Sequence, residues 1–320
     1  MWIALSESSK FRSISDYISR IDPNNVLNIS EEEYGKIIKK MKNDSTWNEY
    51  LDYFKQIRSL NYKKYETALE IIEKNNIEML PINSNQYPIA LLKIKSPPLV
   101  LFKKGTLQNF SNCIAIVGRR DCSHYAHYIA RELSRELAKK KFTIVAGLAR
   151  GVDIEAHCGS LDVNGKTIAV LAKPLHKIYP AEFREVSNDI ANNGALLSEK
   201  ASEVIFGQQD FINRNRIISG ISKAVIIIET FKEGGSIHQL KFAINQKCPA
   251  FILKPKKENS NQYQGFKKAI SLGAISFSSV DEIVKIIKNI EADEISTLET
   301  KIVKKEEKQL NLMEYINKSN

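Results

Sequence analysis

The sequence predicts an α/β protein with a Rossmann-like, doubly wound and mostly parallel sheet, preceded by a small all-α N-terminal domain. Three observations carry that prediction. From about residue 79 to 290, β-branched and apolar runs alternate with segments of helical periodicity, the rhythm of a parallel sheet with crossover helices. Three of those runs end in short turns rich in glycine or arginine, placed where open sheets bind their ligands. Residues 1–78 show helical periodicity and no convincing strand.

In chain order, Ser30-Glu31-Glu32-Glu33 forms a capping box that opens a helix with Tyr34, Ile37, Ile38 and Met41 on one face. Trp47, Tyr50, Leu51, Phe54 and Ile57 repeat at helical spacing, as do Tyr65, Leu69 and Ile72. These aromatics read as the core of a small helical domain, and nothing specifies a partner for it. Residues 79–111 are punctuated by Pro81, Pro88, Pro97 and Pro98, with a strand-like Leu99-Val100-Leu101-Phe102 ending at Gly105. The strand 114–117 follows, then a helix capped by Ser123 with Ile129, Leu133 and Leu137 inward. Strands are expected at 142–146, 167–171, 224–229 and 250–253. Helices are expected near 152–163 and 182–192, from Ser236 onward, and near 263–272 and 280–289. The domains are thus a helical 1–78, a Rossmann-like 79–290 and a charged tail at 291–320.

Composition narrows the function classes. With 320 residues, 43% hydrophobic and 26% charged, the chain reads as an ordinary globular protein. The formal net charge of +10 favours anionic partners such as nucleic acid, although many lysines sit on polar helix faces. Cys113, Cys122, Cys158 and Cys248 form no CxxC pair and no zinc spacing, so no metal is expected. The start Met1-Trp2-Ile3-Ala4-Leu5 is too short for a signal sequence, and no apolar run approaches a membrane span of ~20 residues. A cytoplasmic protein with no membrane contact is the expectation.

The turns carry the chemistry. They are Gly118-Arg119-Arg120 after the first parallel strand, Gly147-Leu148-Ala149-Arg150-Gly151 after the second, and Gly234-Gly235-Ser236 after 224–229. Glycine lets backbone N–H groups approach a ligand, helix N-termini attract anions, and guanidinium forks pair with phosphate. Together these turns predict a phosphate pocket. Arg214-Asn215-Arg216, just before a helical run and after Phe206 and Phe211, adds cations beside rings, the combination a single strand requires. An internal salt bridge of Arg214 or Arg216 with Glu199 or Glu229 is the competing reading. His157 is expected to pack against the sheet with one hydrogen bond, and Asp153 to brace its turn. No G-x-G-x-x-G, no G-x-x-x-x-G-K-[ST] and no G-x-S-x-G occurs, so neither a dinucleotide nor another cofactor is expected, and a holding pocket fits better than a hydrolytic one.

Several motifs, in order, resemble the DNA-processing protein A family, also called DprA or Smf. They are Tyr87-Pro88 with Pro97-Pro98-Leu99-Val100-Leu101-Phe102, then Val117-Gly118-Arg119-Arg120 with Ser123-His124-Tyr125. Ala146-Gly147-Leu148-Ala149-Arg150-Gly151-Val152-Asp153 through His157 and Leu161 follows, with Gly165-Lys166-Thr167, Tyr179-Pro180, Leu197-Ser198-Glu199 and Arg214-Asn215-Arg216-Ile217-Ile218. The resemblance implies a Rossmann-like core that binds and protects single-stranded DNA and helps load a RecA-type recombinase in natural transformation or recombination, usually as a homodimer. It implies no catalysis. Carried over by position, Gly118, Arg120, Gly147, Arg150, Arg214, Arg216, Gly235 and Ser236 line the pocket. Arg119, Ser123, Gly151 and Asn215 stand in the same motifs, Gly234 precedes the Gly235-Ser236 core kept from the family's last phosphate turn, and Lys200 follows the Ser198-Glu199 pair.

Departures from the family are also visible. Arg119 replaces a usual serine and Ala126 a usual glycine, while Ala172-Lys173-Pro174 stands where a Gly-rich turn is usual, with Lys173 as an added phosphate contact. No winged-helix domain is expected within 291–320. Two alternatives remain: a nucleotide-sensing module, and a nucleoside-monophosphate phosphoribohydrolase. The second is disfavoured because Leu240 and Lys241 fall where that family's carboxylates belong.

Overall fold

The computed structural model describes residues 63–201, 207–258 and 260–290, together with helical Glu32 and Lys36. Most of the expected N-terminal helical domain, including its aromatic faces, lies outside the described residues, as do Phe206 and the tail 291–320.

The first described helix, α1 (Lys63–Lys74), buries Ala68 and Ile72 but leaves Leu69 41% exposed, so Leu69 does not belong to its inward face as its spacing suggested. Nine strands follow: β1 (Glu78–Pro81), β2 (Val100–Lys104), β3 (Cys113–Val117), β4 (Thr143–Ala146), β5 (Thr167–Leu171), β6 (Ala195–Ser198), β7 (Ala224–Ile227), β8 (Ala250–Leu253) and β9 (Ile275–Phe277). They form one sheet in the order β1-β2-β6-β5-β4-β3-β7-β8-β9. From β6 across to β8 the pairing is parallel, and β2 and β1 extend the β6 side antiparallel. Every residue of β3 to β8 is buried. That is why these strands read as unbroken apolar runs, with helices covering both faces.

The interleaved helices are α2 (His124–Lys139), α3 (Val152–Leu161), α4 (Arg184–Asn193), α5 (Gln208–Gly220), α6 (Gly235–Asn245) and α7 (Asn261–Ser271). Ser123 caps α2 as expected, its hydroxyl accepting the Ala126 N–H at 3.2 Å. Odd and even strand positions feed different cores. Cys113, Ala115 and Val117 join Ile217 and Ile218 of α5 and Leu240 of α6 on one face. Ala169, Leu171 and Leu196 join Ile72 of α1 and Ile190 of α4 on the other. Among the described residues no helix is long and apolar enough to cross a membrane.

The chain divides into two units at 276/277. The second unit's described part contains a helix over 280–290, whose start is capped reciprocally. There Ser279 Oγ accepts the Glu282 N–H, and the Glu282 carboxylate accepts the Ser278 N–H.

Strand order places the site. Chain growth from β3 goes to β4, β5 and β6 on one side, then returns to β7 and β8 on the other. The β3/β7 boundary is therefore the switch point, where the turns leaving two neighbouring strands diverge and open a crevice.

Candidate functional site

A cavity of about 560 Å³ occupies that crevice. The β3–α2 turn supplies Gly118, Arg119, Arg120 and Asp121, and the β7–α6 turn supplies Phe231, Glu233, Gly234, Gly235 and Ser236. Gln208 and Phe211 of α5 complete the lining. Six of the expected residues thus converge: Gly118, Arg119, Arg120, Gly234, Gly235 and Ser236. Gly234 has φ +145°, a conformation that favours glycine, and a Cβ on Gly234 or Gly235 would meet nothing within 4 Å. The α6 N-terminus therefore faces open space, with its first-turn dipole aimed at the cavity. Ser236 Oγ donates to Thr230 Oγ1 at 2.7 Å, which ties that helix start to its own turn.

The cations of the cavity lie on rings. The Arg119 guanidinium carbon sits 3.2 Å from the Phe231 ring centroid, while its Nε donates to the Asp121 carbonyl and lies 3.5 Å from Glu229. The exposed Arg120 lies 5.5 Å from the Phe211 centroid. Phe211 in turn packs at 6.1 Å against Tyr179, which is 51% exposed, and Lys173 Nζ lies 4.2 Å above the Tyr179 ring. Lys173, Tyr179, Phe211 and Arg120 thus form a strip of cation, ring, ring, cation leading into the cavity, with Arg119 on Phe231 beyond it.

The remaining expected residues stand elsewhere. Ser123 holds Glu229, donating its hydroxyl at 2.7 Å, and lines a separate cavity. Gly147 and Gly151 support the site without lining it. A Cβ on Gly147 would collide with the Arg214 guanidinium, and one on Gly151, at φ +74°, with the Arg119 and Arg120 carbonyls. Arg150 pairs bidentately with Glu182, both bonds 2.8 Å, in an exposed ion pair. Lys200 pairs with Asp210 of α5 at 3.2 Å.

The Arg214-Asn215-Arg216 triplet departs furthest from expectation. It lies in the middle of α5 rather than before a helix, and all three residues are buried. Arg216 pairs with Glu199, the internal salt bridge that was the competing reading, and also donates to the Ser96 and Asn213 carbonyls. Arg214 donates to the Val170 carbonyl and passes beneath Gly147. Burial lowers its pKa to about 10, so it stays charged at neutral pH beside Asp153. Asn215 uses its carbonyl to accept from Ser219 and from Gln239 of α6. The two arginine side chains and the Asn215 carbonyl hold α5 and its neighbours in place, and all three residues are buried rather than lining the crevice.

Asp153 braces its turn as expected, accepting the Gly147 N–H at 2.9 Å, and burial raises its pKa against the opposing pull of Arg214. His157 makes its one hydrogen bond with Thr167 at 2.7 Å. The Thr167 hydroxyl proton is committed to the Ile144 carbonyl, so the imidazole donates from Nδ1 and its Nε2 is left buried without a partner. Burial lowers the His157 pKa to about 3. Sequence reasoning missed Phe231, Gln208, Asp121 and Glu233. Phe231, three residues before Gly234 in one turn, was the readable one, whereas α5 gave no sign that Gln208 faces the crevice.

Comparison with known proteins agrees with this architecture. Residues 78–288 match the family model of DNA recombination-mediator protein A. The chain is 35% identical to DNA processing protein DprA of Bacillus subtilis, over 69% of this chain and 75% of that protein. Across the relatives it matches, it spans from 50% to 75% of their length. The X-ray structure of DprA from Streptococcus pneumoniae superposes with a TM-score of 0.70 at 25% identity, covering 89% of this chain and 95% of that one. DNA processing protein A from Helicobacter pylori, whose single-stranded DNA binding mode has been studied structurally, superposes at 0.60 with 30% identity, covering 68% and 96%. With its core matched in sequence and in overall fold, this chain belongs to the DNA recombination-mediator protein A family.

Proposed function

We propose that this chain binds single-stranded DNA in the β3/β7 crevice without strong base preference, protects it, and helps load a RecA-type recombinase onto it. In this reading it acts in the cytoplasm as a homodimer, in natural transformation or another recombination pathway, as a binder and not an enzyme. The observation that carries the reading is the strip of Lys173, Tyr179, Phe211 and Arg120 that runs into the glycine-lined cavity. Successive bases stack on rings while phosphates meet the interleaved cations, and every base offers a stacking face, so the mode tolerates sequence. The studied single-strand binding of the Helicobacter pylori relative supports the same ligand. Against a phosphoribohydrolase, Leu240 is fully buried in α6 and supplies no carboxylate where a ribosyl cation would form.

Gel shifts with single strand, duplex, RNA and competing mononucleotides test the reading. Single strand should bind tightest, with mononucleotides failing to displace it. Arg120→Glu, at an exposed position, should weaken binding about tenfold or more, ~1.4 kcal/mol, with an unchanged melting temperature. Displacement by a mononucleotide would instead favour the nucleotide-sensing alternative. For the partner, recombinase filaments should assemble faster on a strand coated with single-strand-binding protein when this chain is added.

A further inference from the structure

A second cavity, about 320 Å³, opens on the far side of the same two turns. The buried Ile228, just past β7, and Ile252, within β8, give it an apolar floor. Tyr125 of α2 and Phe266 of α7 also line it, and Lys256 Nζ lies 3.9 Å from the Tyr125 ring centroid. Lys256 and Lys257 are exposed and so stand at its rim. Glu229 lines this cavity and links it to the first. Its carboxylate, 8% exposed, accepts from Ser123 within this cavity and reaches Arg119 of the first cavity at 3.5 Å.

We propose that this second cavity takes the base of a further nucleotide of the same bound strand, with its phosphate on Lys256 and Lys257. The proposal rests on the single-strand reading of the first cavity. Four features select this occupant. The volume suits one nucleobase with part of its sugar and lies at the small end of ligand pockets. Two aromatic side chains supply stacking faces, and the rim supplies cations. The Glu229 carboxylate repels phosphate from the interior and accepts base N–H groups, which orients the nucleotide base inward and phosphate outward. Finally, one ion pair links this cavity to the first, so a strand lying across the Arg119–Glu229 pair meets both.

The test uses the full chain and thymidine oligomers lengthened one nucleotide at a time. In the wild type, affinity should rise about tenfold at the length that first reaches the second cavity. Tyr125→Ala should lose that step while binding the shorter strands unchanged, and Tyr125→Trp should restore it. A strand carrying 5-iodouracil should photocrosslink to Tyr125, and free thymidine monophosphate should not suppress the crosslink. A retained step in Tyr125→Ala, or crosslinks that never include Tyr125, would overturn the proposal. Suppression by the mononucleotide would overturn the strand as occupant in favour of a free nucleotide. If the wild type binds no single strand of any length, the reading of the first cavity falls and this one with it. A wild type that binds short strands but shows no length step sinks only the second.

Discussion

Arg216 places its guanidinium between the Glu199 carboxylate and two backbone carbonyls, so its charge is used entirely within the protein. Removing it leaves Glu199 in the interior without its guanidinium. Arg216→Ala is therefore expected to cost about 3–5 kcal/mol in urea unfolding, an effect on folding and not on the ligand. His157 gives a pH dependence of defined sign. Its folded pKa of about 3 lies below its usual 6.5, so the unfolded chain binds a proton first as pH falls. The stabilisation is complete above pH 6.5 and is lost towards pH 3, at about 1.4 kcal/mol per pH unit. Between pH 7 and roughly pH 4.5 the wild type should lose about 2–3 kcal/mol more than His157→Gln does, measured by urea unfolding at both pH values. A flat difference between the two proteins would show that the imidazole titrates normally.

At the scale of elements, the α3 N-terminus and the arginine turn are one construction. The Val152 N–H donates to the Arg119 carbonyl at 3.2 Å, and Gly151 lies against the carbonyls of Arg119 and Arg120. Gly151→Ala combines a strained positive φ with that collision and should cost about 1–3 kcal/mol. It should also weaken DNA binding, because the turn carrying Arg120 must shift although no cavity side chain is removed. Paired melting and gel-shift measurements check both effects. Elements of this kind were readable where the chain is buried on both sides. Thr167–Leu171 and Ala250–Leu253 fall where their apolar runs placed them. The misses have physical reasons. β6 is only Ala195–Ser198, β9 only Ile275–Phe277, and β1 is a half-exposed edge strand that ends in proline. α5 begins with Gln208-Gln209-Asp210 and has glycine at its N-cap, so no capping side chain marks its start and only the Asp210 carboxylate reaches back to accept the Gly207 N–H. Without a Ser or Thr to mark its start, the arginine triplet read as preceding a helix it lies within.

For the whole molecule, net charge and usable charge differ. The formal +10 includes Arg214 and Arg216, which are buried, and Arg150 and Lys200, which are paired with carboxylates. Four cations on phosphates would give a log K against log salt slope near −3, at ~0.7 per phosphate. Along the first cavity and its strip stand the exposed Arg120, Lys173 beside Tyr179, and Arg119, which shares Glu229 at 3.5 Å while lining the cavity. Titrations with a strand just long enough to fill that cavity should therefore give a slope of about −2. A slope near zero would mean that phosphates do not enter the crevice. Fold class and the glycine turns were legible because backbone sterics write them locally, whereas the inward or outward direction of an arginine depends on partners a hundred residues away, as Ser96 does for Arg216. Arg119 and Arg120 rest against Phe231 and Phe211, side chains of the protein's own fold. Little rotamer freedom is left for them to surrender at capture, so the rate of association should follow diffusion and long-range attraction, with no slow rearrangement preceding the grip.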